Sequence, residues 1–204
     1  KGNPTGIPLS IPTDDLTRLI ERDTSDFDPG ADLTSYGLDV EGVTEFKRGS
    51  KPRVRISAEL AYDERRQNRY RTTLTHEYGH VHAHAYLFEM EQPLGDLLRG
   101  KQVSTIQICK RESLLDAART DWMEWQAGYI CGALLMPATT VRKIAGGFQE
   151  QRSIFGPVRV GTPEALDLID MVRKTFLVSA DAARIRLLKL GLLGTQQHGR
   201  SLFG

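Results

Sequence analysis

Residues 75–80 read Thr75-His76-Glu77-Tyr78-Gly79-His80, and the interpretation of the whole chain starts from them. On a helix, residues four apart lie on one face, so His76 and His80 can present imidazole nitrogens to a single ion. Neutral imidazole is a good ligand for zinc. Glu77 lies about 100° around the helix from His76, where it can reach a water on the metal without being a ligand. The spacing therefore predicts a hydrolytic zinc site with Glu77 as the catalytic base. The alternative is an exposed amphipathic helix with incidental histidines.

Other histidines and cysteines near this stretch are secondary candidates. The extended motif of the metzincins needs Gly at position 83 and His at 86, but the chain has Ala83 and Tyr86, which excludes it. His84 lies one further turn along the same face, about 6 Å away, so we expect it to support a ligand or line the core. Cys109 and Cys131 lack a metal-binding spacing and are expected to be ordinary buried thiols.

A third ligand is expected from a later helix, as in zinc sites made of two histidines and a glutamate. Glu124 stands between Met123 and Trp125 in a segment that looks buried. Burial of a charge there is unfavourable unless a cation meets it, and zinc would supply one. Glu124 is therefore the predicted third ligand. The competing interpretation places it in solvent, and Glu89 and Glu91 are weaker candidates.

Composition limits the class of protein. The chain has 204 residues, with 27 basic and 26 acidic side chains and a formal net charge of +1, so no global charge favours nucleic acid or a membrane surface. It contains no run of about 18 apolar residues, so no membrane partner is expected. Residues 1–12 lack the apolar run of a signal peptide. Two cysteines are too few for a disulfide framework, and the cytoplasm is the expected location.

Hydrophobic periodicity predicts an α+β fold. Two strand-like runs, 42–46 and 53–60, predict a hairpin whose second strand is an edge. The segment 23–39 is typical of a loop, the glycines at 146, 147 and 156 indicate loops, and an insertion over 89–120 contains a strand at 103–109. Helices are predicted over 69–88, 121–136, 163–175 and 181–190. We expect a lead-in and helix over 1–41, a catalytic core over 42–145, a helical segment over 146–194 and a tail over 195–204.

Two blocks of sequence resemble those of a known family. The run from Arg71 to His80, followed by His84, resembles the signature of the ImmA/IrrE-type zinc metallopeptidases. Residues 124–137, EWQAGYICGALLMP, are similar to that family's E-x-E-A-N-x-F-A-x-x-L-L-M-P block, whose first Glu is the third zinc ligand and falls on Glu124. Gln126 and Gly128 depart from the family's Glu and Asn. The resemblance covers roughly residues 42–192.

The resemblance implies a zincin-like minimal metallopeptidase core, in which a small twisted sheet packs on helices, followed by a helical, helix-turn-helix-like segment. It also implies a selective intracellular peptidase that holds Zn²⁺ through His76, His80 and Glu124. In characterised relatives the substrate is a helix-turn-helix repressor, and a transcriptional repressor is therefore the expected substrate. We expect the strand at 53–60 to bind the substrate backbone and the 89–120 insertion to restrict access to the cleft. The oxyanion donor is open among Tyr78, Tyr86, Tyr129 and His84.

A rival hypothesis is a DNA-binding or stress-response regulator that retains a zinc site without general protease activity. Residues 162–164, Thr-Pro-Glu, start a helix strongly, and Ser179 can cap the next one after a short turn. Arg184, Arg186 and Lys189 would then face phosphate. DNA is the less favoured partner, because a helical hairpin that completes the core explains the same pattern.

Overall fold

A computed structural model describes residues 9–47, 49–90, 104–110 and 122–194. Much of the predicted 89–120 insertion and the whole predicted tail lie outside these residues. The chain divides into two compact units, Ile11–Leu135 and Met136–Gly204 together with Lys1–Ser10. The domain limits expected from the sequence stay predictions. Among the described residues, no helix combines the length and the apolar character needed to cross a membrane.

The described part of the unit Ile11–Leu135 combines four α-helices with a four-stranded mixed sheet, which confirms the α+β class. In the sheet, β1 runs parallel to β3, while β3 and β4 both run antiparallel to β2, giving the order β1-β3-β2-β4. The helices are α1 (Thr13–Asp23), α2 (Ala58–Ala61), α3 (Gln67–Met90) and α4 (Trp122–Leu135), and the strands are β1 (Asp26–Ala31), β2 (Val40–Lys47), β3 (Arg53–Ser57) and β4 (Ser104–Lys110).

Strand β3 lies inside the sheet, so the expectation that it is an edge is wrong. Strand β1 covers its outer side, with Asp26 opposite Arg53. The sequence predicts a loop there because β1 contains Pro29 and Gly30, which disfavour strands. Pairing with β3 overrides that preference, and the register shifts between Asp28 and Ala31, where the proline and glycine stand. Since β3 is paired on both sides, it has no edge to offer a substrate.

Helix α3 is the centre of this unit. It contacts β2 and α4, and every residue from Tyr70 to Val81 is buried. A surface helix would show one apolar stripe, but this stretch is surrounded on all sides. Two of its threonines bond locally: the hydroxyls of Thr72 and Thr75 donate to the carbonyls of Asn68 and Arg71, four residues back. The polar side chains of α3 are therefore held inside the protein, where each needs a partner.

The unit that begins at Met136 is helical, with α5 (Ala138–Gln151), α6 (Pro163–Phe176) and α7 (Ala180–Lys189). Two two-residue strands, β5 (Val158–Arg159) and β6 (Leu193–Gly194), pair in parallel. The hydroxyl oxygens of Thr162 and Ser179 accept bonds from Ala165 N and Ala182 N and so cap α6 and α7. The predicted helices 163–175 and 181–190 are confirmed to within one residue at each end.

Arg186 on α7 does not face outward. It is buried, and its Nε donates to the carbonyl oxygen of Met136 at 3.0 Å. The expectation that Arg186 meets a DNA phosphate is therefore wrong. Arg184 is partly exposed and lies 3.9 Å from Asp181. The helix-turn-helix character of α6 and α7 stays a prediction.

Helix α5 is a second correction, because the sequence predicts loops at Gly146 and Gly147. Both glycines lie inside α5, whose inner face buries Val141, Ala145 and Phe148 at helical spacing. Each glycine disfavours a helix by about 1 kcal/mol relative to alanine. Burial of this apolar face outweighs that preference.

We expect Gly147→Ala to stabilise the protein. A methyl group at Gly147 would meet nothing within 4 Å, so the change reduces backbone freedom in the unfolded chain without a clash. The free energy of unfolding, measured by urea denaturation, should rise by about 0.5–1 kcal/mol. Gly156→Ala is the matched control: its surroundings are equally open but its φ is +81°, so it should destabilise. Equal effects of the two changes would contradict this account.

Candidate metal centre

Three side chains from α3 and α4 meet in the interior of the first unit. His76 Nε2 lies 3.0 Å from Glu124 Oε2, and His80 Nε2 lies 3.0 Å from Glu124 Oε1. The two Nε2 atoms are 3.2 Å apart. His76 and His80 are fully buried, and Glu124 is 6% exposed. The structure thus brings together the three ligands predicted from the sequence, although they come from two helices.

This group can hold a metal ion. One ligand atom from each of His76, His80 and Glu124 falls within 4.8 Å of the others. Bond lengths of about 2.0–2.1 Å and tetrahedral angles place neighbouring zinc ligands about 3.3 Å apart. The observed separations of 3.0–3.2 Å approach that value without rearrangement of the backbone. The donor set and its spacing therefore fit a divalent ion.

His80 and Glu124 are in the ionisation state that a metal requires. Burial lowers the pKa of His80 to about 4, so its imidazole is neutral at pH 7. Burial acts to raise the pKa of Glu124, but hydrogen bonds from His76 and His80 outweigh it and lower that pKa to about 2. A neutral imidazole and a carboxylate can both bind an ion without first losing a proton.

Glu77 follows His76 on α3 and is not one of the three residues of the group. It is fully buried, and strand β2 holds it: Thr44 Oγ1 donates to Glu77 Oε2 at 2.5 Å. A methyl group on Gly42 would overlap the Glu77 carboxylate, so only glycine leaves room at that position. Sequence reasoning missed both β2 residues. The available signal is a glycine and a hydroxyl residue two apart, hence on one face of a strand.

Glu41 fixes the end of β2 against α3. Its buried carboxylate accepts hydrogen bonds from Arg66 and Arg69, each at 2.5 Å. The register of β2 with β4 shifts between Val40 and Gly42, so Glu41 stands at an irregularity of the strand. Charge-assisted bonds of this kind set the position of β2, and with it the position of the residues that contact Glu77.

Gly79 allows α3 and α4 to touch. A Cβ atom at Gly79 would lie 2.8 Å from the carbonyl oxygen of Ala127 and 2.9 Å from its Cα. These are backbone atoms and cannot turn away as a side chain can. Because Gly79 lies between the two histidines and Ala127 lies one turn beyond Glu124, this approach sets the distance across which Glu124 reaches the imidazoles.

We expect Gly79→Ala to weaken metal binding and the fold together. The added methyl must push the helices apart, which costs about 1–3 kcal/mol in a packed interior. Metal affinity should fall by at least about 10-fold, because Glu124 moves with α4. Calorimetric titration with zinc and a thermal melt would measure both effects. Gly147→Ala makes the same chemical change where α5 has open space, and it should leave zinc affinity unaltered. If Gly79→Ala also leaves zinc affinity unaltered, the contact between Gly79 and Ala127 does not position Glu124.

His84 extends the group by one further turn of α3. It is buried, its Nδ1 lies 3.1 Å from His80 Nδ1, and its Nε2 lies 3.1 Å from Gln126 Oε1 on α4. The edge of Trp122 meets its ring, with centroids 5.4 Å apart. His84 thus contacts a candidate ligand rather than joining the three-residue group. Gln126, like Gly42 and Thr44, is a contact that sequence reasoning did not anticipate.

The candidates for an oxyanion donor are placed differently from one another. Tyr78 is buried, and its hydroxyl donates to Asp23 on α1 at 3.1 Å, which commits it to a structural contact. Both ring nitrogens of His84 are engaged, as described above. Tyr86 and Tyr129 are about half exposed, at 50% and 53%. These two tyrosines are the remaining candidates of the four.

The thiol of Cys131 has an ordinary structural environment, as predicted. It is buried, and its Sγ donates to the carbonyl oxygen of Thr72 at 3.4 Å, which links α4 to α3. Cys109 lies on β4. Of the weaker candidate ligands, Glu89 lies near the end of α3, and Glu91 lies outside the described residues.

No protein-family model matches the chain, and no curated protein matches it. Its function therefore has to be inferred from the residues of the site.

Proposed function

We propose that the protein is a zinc-dependent endopeptidase with a zincin-like core. The observation that carries the proposal is the buried group of His76, His80 and Glu124, together with a second buried carboxylate, Glu77, which follows His76 on α3. Three protein ligands leave one position of a tetrahedral ion for water or substrate, which is the arrangement of catalytic zinc rather than structural zinc. The sequence resemblance to the ImmA/IrrE-type peptidases supports the same assignment.

The donor set alone leaves a choice of metal and chemistry. Two histidines and one carboxylate also bind iron in non-haem oxygenases. Glu77 favours hydrolysis, because it is held by Thr44 next to the group and is not one of the three residues that form it. A carboxylate in that position can accept a proton from water, which an oxygenase does not need.

When bound, zinc polarises the scissile carbonyl and lowers the pKa of water to about 7. Glu77 takes one proton from the water as the water oxygen bonds to the carbonyl carbon. It then delivers that proton to the amide nitrogen as the C–N bond breaks, so the products are a carboxyl group and a free amine. The bond from Thr44 holds the carboxylate in a single orientation through both transfers. Gly42 keeps space for it against β2.

We propose that the substrate lies along β4 rather than along the strand first expected. Among the residues that the structure describes, the outer strands of the sheet are β1 and β4, and β4 is the neighbour of β2, whose Thr44 contacts Glu77. An extended peptide can pair with the outer edge of a sheet through main-chain hydrogen bonds. Such pairing would place a peptide bond of the substrate next to β4, at the edge of the sheet that is nearer to Glu77, the proposed base.

The proposal is tested with zinc-loaded protein, a panel of unfolded proteins such as casein, and a set of helix-turn-helix repressors. We expect clean cutting of one partner and little or no cutting of the panel. A chelator should stop the cleavage, and added zinc should restore it. Digestion of the whole panel would refute selectivity. If nothing is cut although zinc is bound, the rival regulator with a retained zinc site is favoured.

DNA binding is the less supported function. Of the three cations that the sequence places on the last helix, Arg186 is buried against Met136. A protein that reads DNA should show binding that weakens steeply with salt and does not depend on zinc. Absence of such binding would leave the peptidase as the function of the chain.

A further inference from the structure

A line of three side chains leads from α4 to the proposed metal ligands. Gln126 Oε1 contacts His84 Nε2 at 3.1 Å, and His84 Nδ1 contacts His80 Nδ1 at 3.1 Å. The remaining nitrogen of His80 faces Glu124 Oε1 at 3.0 Å. Both histidine rings are fully buried, so water does not replace these partners. Gln126, His84 and His80 are called the relay below.

In a line of neutral imidazoles, the proton on one ring determines the proton on the next. Each neutral ring carries one N–H and one lone pair. At the His80–His84 contact one Nδ1 must donate and the other must accept, since two protons or two lone pairs would repel. The tautomers of the two rings are therefore coupled, and the amide of Gln126 completes the line.

A bound metal requires one of the two arrangements. If His80 Nε2 gives its lone pair to the ion, its Nδ1 carries the proton and donates to His84 Nδ1. His84 then carries its own proton on Nε2 and donates to Gln126, whose carbonyl oxygen accepts. This arrangement matches the orientation in which Gln126 Oε1 faces the ring.

Without a metal, Glu124 favours the opposite arrangement. Its buried carboxylate is best satisfied if His80 donates to it from Nε2, across the 3.0 Å contact. His80 Nδ1 then accepts from His84 Nδ1, and His84 Nε2 needs a donor. The amide of Gln126 can supply one by turning its NH₂ group towards the ring, whereas a carboxylate can only accept.

We propose that Gln126 is a positioning residue. Its carboxamide can either accept a hydrogen bond from His84 or donate one to it, so the protons of the relay can take either arrangement. The hydrogen bonds of the site are therefore made both with and without a metal. The proposal rests on the metal site proposed above. A carboxylate at the same position would hold His84 protonated on Nε2, and His80 on Nδ1, at all times. With glutamine at position 126, zinc would then bind less tightly and dissociate more readily than with glutamate at that position.

The test is the tautomer of His84, read from the ¹⁵N chemical shifts of its ring in metal-free and zinc-loaded protein. We expect the His84 proton on Nδ1 without zinc and on Nε2 with zinc. In Gln126→Glu it should stay on Nε2 in both forms. Gln151→Glu, which adds the same charge at the exposed end of α5, should behave like the unaltered protein. The same His84 tautomer in the unaltered protein and in Gln126→Glu, when both are metal-free, would overturn the proposal.

Zinc affinity is a second, independent measurement. We expect Gln126→Glu to bind zinc about 10-fold more tightly and Gln126→Leu, which cannot accept from His84, about 10-fold more weakly. Equal affinity in all three proteins would overturn the proposal even if the glutamate variant folds poorly, since Gln126→Leu adds no charge. Failure of zinc to bind any of them would refute the metal site, while the metal-free spectra would still decide whether the relay exists.

Discussion

Glu124→Ala should abolish stable zinc binding. It removes the only carboxylate of the three-residue group and leaves two buried imidazoles 3.2 Å apart, with no charge to balance that of the ion. Loss of a residue that merely supports a ligand lowers affinity by about 10–100-fold, so loss of a ligand should exceed that range. The measurement is the zinc content after dialysis, together with calorimetric titration.

The matched control is Glu150→Ala, which removes an exposed carboxylate near the end of α5. It should retain one zinc per chain. Undiminished zinc in Glu124→Ala would show that the ion is held elsewhere, and the assignment of His76 and His80 would fall with it.

Glu77→Gln should keep the metal and the fold but lose hydrolysis. The amide oxygen of glutamine can still accept the hydrogen bond from Thr44, so the side chain keeps its place beside β2. It cannot take a proton from water, and loss of a positioned general base costs about 10²–10⁴-fold in rate. Zinc content, a thermal melt and cleavage of the selected substrate would be compared in parallel.

Thr44→Val tests the positioning of Glu77 separately from the role of Glu77 as the base. It removes the donor but leaves the Glu77 carboxylate, so cleavage should fall by less than in Glu77→Gln. Zinc should remain bound in both variants. Loss of zinc from Glu77→Gln would mean that Glu77 is a ligand and that the roles are wrongly assigned.

The elements predicted well are those whose signals are local. Helices α3 and α4 begin and end within two residues of the predicted limits, and β4 starts and ends one residue later than predicted. Strand β1 and helix α5 were predicted wrongly because proline and glycine dominate a local interpretation. The pairing of β1 with β3 and the burial of one face of α5 depend on residues far away in the sequence.

The candidate site divides in the same way. The spacing of His76 and His80 is a property of one helix, and the need to neutralise a buried charge indicated Glu124. The contacts of Thr44 and Gln126 could not be predicted. Each one requires a strand or helix from another part of the chain to pack against α3 in one particular register. No spacing rule connects β2 with Glu77.

The burial of α3 from Tyr70 to Val81 has a consequence for the order in which the chain folds. A helix without an amphipathic stripe has no face that draws it to a partner first, whereas hairpin β2–β3 closes a short loop and is entropically easy to form. The β2–β3 hairpin can therefore form early, whereas the stretch from Tyr70 to Val81 becomes buried only when its neighbours surround it. Glu77 meets Thr44 and the histidines meet Glu124 at that last stage. A partly folded nascent chain therefore has no assembled metal centre, and the three proposed ligands come together only in the native state.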